Sequence, residues 1–148
     1  MLRVLGAYLA AVLVTHAGAV IAHTQSVMAS LADMGVDVSL EERLGATFHD
    51  LLGMAPLFLP ILAVALGVAF AVAGAIIRRV PHWRPLGYSL AGGLAVLAVH
   101  VVLYQTFSIT PIAGARSALG LTAQALAGAF GGWVFWLCLP SRVNRSSA

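Results

Sequence analysis

The stretch PLFLPILAVALGVAFAVAGAII, residues 56–77, carries no charge along its length and is followed at once by Arg78 and Arg79. A helix needs about 20 predominantly apolar residues to cross the hydrocarbon of a bilayer. This segment is long enough, and it ends in a pair of positive charges. Three other stretches, 4–24, 86–105 and 119–139, are apolar over a comparable length. Unpaired backbone groups are not tolerated in hydrocarbon, so each of the four is expected to be helical.

The whole chain fits that reading. Its 148 residues are 61% hydrophobic and 9% charged, with a mean hydropathy of +0.97, whereas a soluble domain carries about 25% charged residues. The expected fold class is therefore all-α. It is a polytopic membrane protein with four transmembrane helices in one bundle over 1–148, and residues 25–55 form its outer loop.

Charge sets the expected orientation. All eight basic residues are arginine and the formal net charge is +3. Arg3 precedes the first span, Arg78, Arg79 and Arg84 fill the turn between the second and third, and Arg142 and Arg145 follow the fourth. By the positive-inside rule both termini face the cytoplasm. Asp33, Asp37, Glu41, Glu42 and Asp50 all fall between the first two spans, which places that loop outside. Lysine is missing while Ala, Gly, Val and Leu abound, a bias that suggests a bacterial inner membrane. Arginines that flank apolar segments do not form the basic face of a nucleic-acid binder. A rival reading of residues 1–19 is a signal peptide cut after Ala17-Gly18-Ala19, but the apolar run continues to Ala22.

The outer loop has structure of its own. Ser39-Leu40-Glu41-Glu42 reads as a capping box that starts a helix at Leu40. Leu40, Leu44, Phe48 and Leu51 or Leu52 then form an apolar stripe, expected on the membrane surface or over the bundle. Asp33-Met34-Gly35 reads as a helix C-terminus with Gly35 left-handed, so the first span protrudes to about Ala32. Pro56 and Pro60 should kink or interrupt the second span. Tyr8, Trp83, Tyr88, Trp133 and Trp136 belong at the inner interface, and Tyr104 at the outer one.

Small residues mark helix contacts. Gly128 and Gly132, Ser89 and Gly93, and the row Ala63, Gly67, Ala71 allow close approach in lipid. They serve packing within the bundle, or else the Gly128–Gly132 face receives another membrane protein.

Polar residues in the spans are the candidate sites. At about 1.5 Å per residue, His16 stands roughly 18–20 Å and His100 about 21 Å from the inner ends of their spans. A shared level would suit a bis-histidine haem. His23, His49 and Asp50 gather ligand types for a divalent metal at the outer boundary. The alternative for each histidine is a hydrogen bond to Thr15, Tyr104, Gln105 or a freed backbone carbonyl. Tyr104 and Arg116 are candidates for holding a lipid headgroup or small apolar ligand. Cys138 is alone and reads as a small hydrophobe.

Absent motifs narrow the function. No Asp, Glu, Lys or Arg lies deep in a span, so the carboxylate relay of ion-driven transporters is missing. No phosphate loop, nucleophile elbow or His-Glu-x-x-His helix occurs. The expectation is a non-enzymatic accessory or scaffold subunit of a larger membrane complex, or a homo-oligomer, held through Gly/Ala-rich helix faces. A haem or metal redox protein and a lipid- or solute-binding protein or channel are the alternatives.

Overall fold

The computed structural model describes residues 2–107 and 117–139. These fold into five α-helices and one 3₁₀ turn: α1 (Leu2–Asp33), α2 (Leu40–Gly53), α3 (Ala55–Ile77), the 3₁₀ turn Pro81–Trp83, α4 (Arg84–Phe107) and α5 (Ala118–Cys138). No strand occurs among the described residues, and α1, α3, α4 with its preceding turn, and α5 are each long and apolar enough to cross a membrane. The protein is a helical membrane protein with four such spans.

Local sequence explains where the helices stop. α1 ends in a left-handed Gly35 at φ +84°, with Val36 N–H bonded to the Leu31 carbonyl at 3.1 Å and Gly35 N–H to that of Ala32 at 2.9 Å. That pair of bonds satisfies carbonyls the helix end would otherwise orphan. The Ser39 side chain accepts from the Glu42 backbone at 3.2 Å, and the Glu42 carboxylate accepts from Ser39 N–H at 2.8 Å. The capping box thus starts α2 at Leu40, as its sequence requires.

Residues 25–55 are therefore less a loop than two facing helices. The 32 residues of α1 measure about 48 Å, some 18 Å more than a hydrocarbon core. α2 runs back along the far end of α1. It passes into α3 through Met54, which is itself in the right-handed helical region. The break falls at Met54, not at Pro60, and α3 continues through that proline. Pro56 sits in the first turn, where its missing N–H leaves no helical bond unmade.

In the bundle α5 packs chiefly against α4 and α1, while α3 packs on α4 and more sparsely on α1. Glycine governs the first contact. A Cβ on Gly132 would lie 2.0 Å from the Tyr88 carbonyl, and one on Gly128 would lie 2.4 Å from that of Gly92. Gly93 similarly faces the Ala125 carbonyl at 3.2 Å. Backbone meets backbone here, the arrangement that replaces water-driven association in lipid. The Gly128–Gly132 face is consequently covered by α4 of the same chain. Gly131 turns to α1, where its Cβ would overlap Thr15 Oγ1 at 1.9 Å.

Two layers fill the remaining core. Toward the arginine-bearing end, Ala7, Ala11 and Val12 pack with Phe70, Ile77, Tyr88 and Phe135. Phe70 stacks on Phe135 at 4.4 Å, and Tyr88 meets Phe135 edge-on at 5.1 Å. Tyr88, one turn beyond Arg84, turns its ring into this aromatic cluster and keeps 8% of its surface exposed. Farther along, Ala19 and Val20 pack with Phe58, Leu62, Val96 and Val99.

Candidate functional site

Among the described residues, five polar side chains are buried: Thr15, His16, Thr24, His100 and Gln124. The two histidines do not share a level. On α5, Ala127 meets Gly18 of α1 and Gly128 meets Gly92 of α4, so Gly18 and Gly92 stand at nearly one height, with His16 about half a turn before it and His100 about two turns beyond it. Counting from the ends of the spans assumes that these begin in one plane, whereas α1 starts at Leu2 and α4 after a separate 3₁₀ turn.

Each histidine uses one nitrogen. His16 Nε2 lies 3.1 Å from the Leu51 carbonyl and its ring packs on Phe58 at 6.0 Å. Leu51 stands in the last turn of α2, where carbonyls lose their helical donors because the chain breaks at Met54. The imidazole thus supplies the missing N–H, which fixes the Nε2–H tautomer. His100 Nδ1 lies 2.8 Å from the Val96 carbonyl one turn back, fixing the opposite tautomer. His16 Nδ1 and His100 Nε2 then hold lone pairs with no partner among the described residues.

Gln124 bridges α5 to α1, donating from Nε2 to the Ala19 carbonyl at 2.9 Å, while its Oε1 and Thr15 Oγ1 have no partner among the described residues. This buried amide escaped the sequence reading, which weighed charged residues and histidines. The usable signal was a carboxamide at the centre of Ala123-Gln124-Ala125 in an apolar span.

A polar seam joins α1 to α2 at the acidic end. Thr24 donates to Asp50 Oδ2 at 2.7 Å, Gln25 donates to Thr47 at 3.2 Å, and Arg43 donates to Gln25 at 3.2 Å. Half-buried His23 interacts electrostatically with Asp50, while His49 is exposed. Among the described residues no three His, Cys, Asp or Glu side chains gather to hold a metal ion. Beyond the seam, Ser39 hydrogen bonds hold the exposed Glu42 carboxyl below its ordinary pKa.

The opposite face of α2 is bare. Leu40, Leu44, Phe48 and Leu52 recur every fourth residue and are 63–72% exposed, while Leu51 alone turns toward the core. The stripe points away from the bundle, not over it. Tyr104 is exposed near the far end of α4, and Arg116 lies outside the described residues. Exposed Cys138 closes α5.

Two cavities lie elsewhere, both between α3 and α4, and neither touches His16 or His100. Tyr8 reaches α3 on another side, its hydroxyl donating to the Ala63 carbonyl. Comparison of the chain with protein-family models, curated proteins and solved structures finds no match.

Proposed function

We propose that this protein is a non-enzymatic accessory subunit of a bacterial inner-membrane complex, and that it docks through the apolar stripe of α2. The observation that carries this reading is the division of α2 into two faces. One is tied to α1 by the seam through Gln25, Thr47 and Asp50. The other presents Leu40, Leu44, Phe48 and Leu52 without cover. Four large apolar side chains at intervals of four, on a helix held to the protruding end of α1, suit the apolar face of a partner helix. The Gly128–Gly132 face is already occupied by α4, so the docking role passes from the glycine faces to this stripe.

A photo-crosslinking amino acid at Leu44 or Phe48, activated in native membranes, tests the proposal. The expected product is one protein adduct. It should vanish on Leu44→Ser with Phe48→Ser, while the chain stays in the membrane at its normal level. Lipid-only adducts, or the same products from lipid-facing Val64, would overturn it.

The redox reading has one observation in its favour. A histidine that donates its N–H to a backbone carbonyl and buries its other lone pair is arranged as metal-ligating histidines are, and His100 is so placed. Purification after growth with haem precursor and divalent metal tests it: a Soret band or stoichiometric metal, lost on His100→Leu, is the result this reading requires.

A further inference from the structure

We infer that the cleft between α3 and α4 is a binding site for an anionic phospholipid, with its acyl chain along the helices and its phosphate at Arg78 and Arg84. The cleft has a volume of about 600 Å³. Its floor is formed by small side chains, Ala65, Ala69 and Ala73 from α3 with Ala91 and Ala95 from α4. Val68, Val72, Leu90 and Leu94 rise along its sides, each more than half exposed. Rows of alanine ordinarily let helices close on each other. Here they line an open trough instead.

The length of the trough matches one leaflet. From Gly87 to Ala98 it follows α4 for about 16 Å, against about 15 Å for half of a bilayer's hydrocarbon. Any apolar trough in a membrane will meet acyl chains, so depth alone names no particular lipid. The end of the trough does. Ile77 lines both the cleft and a second cavity of about 210 Å³, whose walls include Arg78, Arg84 and Tyr88. Two guanidiniums and a phenol offer a phosphate charge and several donors, a guanidinium being suited to paired bonds with its oxygens. Basic pockets between helices at a membrane surface are where anionic headgroups bind.

This site is at the opposite end of the molecule from α2, and its fate is independent of the partner proposed there. The test is native mass spectrometry of the full chain in mild detergent, titrated with dioleoyl phosphatidylglycerol or dioleoyl phosphatidylcholine. Each arginine near an anionic headgroup contributes about fivefold, so the intact protein should prefer the glycerol lipid by at least tenfold. Arg78→Gln with Arg84→Gln should bring the preference within twofold of unity. Arg79→Gln, which removes one positive charge from outside the pocket, should leave it intact. Ala91→Leu, which fills the trough and leaves the arginines alone, should reduce retention of both lipids severalfold; it also tests the site if the double variant fails to fold. No preference in the intact protein, an equal loss on Arg79→Gln, or unchanged retention on Ala91→Leu would each mean annular lipid only and overturn the site.

Discussion

The buried amide and imidazole differ in what they leave behind when removed. Gln124 donates to the carbonyl of Ala19, which sits mid-helix and keeps its backbone donor. Gln124→Leu therefore removes a buried polar group with its own unpartnered oxygen, and stability should change by less than about 0.5 kcal/mol. His16 donates to the carbonyl of Leu51, which lies at a helix end beside a chain break. His16→Leu leaves that part-buried acceptor unpaired, a cost of about 1–3 kcal/mol. Reversible unfolding in mixed detergent–dodecyl sulfate micelles measures both. Equal losses for the two variants would show that the freed carbonyl is not what His16 serves. Gln124 escaped notice, but the buried imidazoles were legible in the sequence, because one set among Val96 to Val102 stands out. Their partners were not, since Leu51 lies 35 residues from His16 and depends on how α2 returns along α1.

Between helices, the same glycine spacing has opposite consequences at different positions. Gly132→Ala must push α5 from the Tyr88 carbonyl, which is backbone and cannot swing aside. It should cost at least about 1–3 kcal/mol, the usual range for overpacking. A Cβ at Gly6 would meet nothing within 4 Å, so Gly6→Ala should be neutral or stabilise by up to about 1 kcal/mol. The same detergent titration compares them, and similar effects would refute the backbone contact. Spacing in the sequence marked Ser89, Gly93, Gly128 and Gly132 as packing residues but could not say which helix each would meet. Gly92 and Gly131, among the tightest positions, fall outside the four-residue pattern. By contrast the capping box of α2 was fully legible, because all its atoms come from residues 39–42. Its pH dependence follows from Glu42, whose folded pKa is depressed by Ser39. The contribution of the carboxylate to α2 is complete above the unfolded carboxylate value of about 4.3 and is lost as pH falls through the lower folded value. Helical chemical shifts across residues 40–46 should decline in that window, and Glu42→Ala should remove the pH dependence. A decline beginning near neutrality would assign it to another group.

At the scale of the molecule, the four long helices were the most legible feature, since length and apolarity alone define them. The hairpin of α1 with α2 was half hidden, because its acidic residues and glycine read as loop while its caps read as helix. The alternation of the helices brings Arg3, Arg78, Arg79 and Arg84 to one end of the bundle and sends Asp37, Glu41 and Glu42 to the other. By the positive-inside rule this separation of charge corresponds to arginines on the cytoplasmic side, an orientation open to test. It yields a direct experiment because the chain has a single cysteine, Cys138. In a Cys138→Ser background, a cysteine at Asp37 should react with a membrane-impermeant maleimide in intact spheroplasts. A cysteine at Arg79 should react only after the membrane is permeabilised. Both positions are exposed, so a difference in labelling reports sidedness rather than burial. Labelling of Arg79→Cys but not Asp37→Cys in sealed cells would invert the protein. The stripe of α2 would then face the cytoplasm, and the arginine pocket would meet the outer leaflet of that membrane.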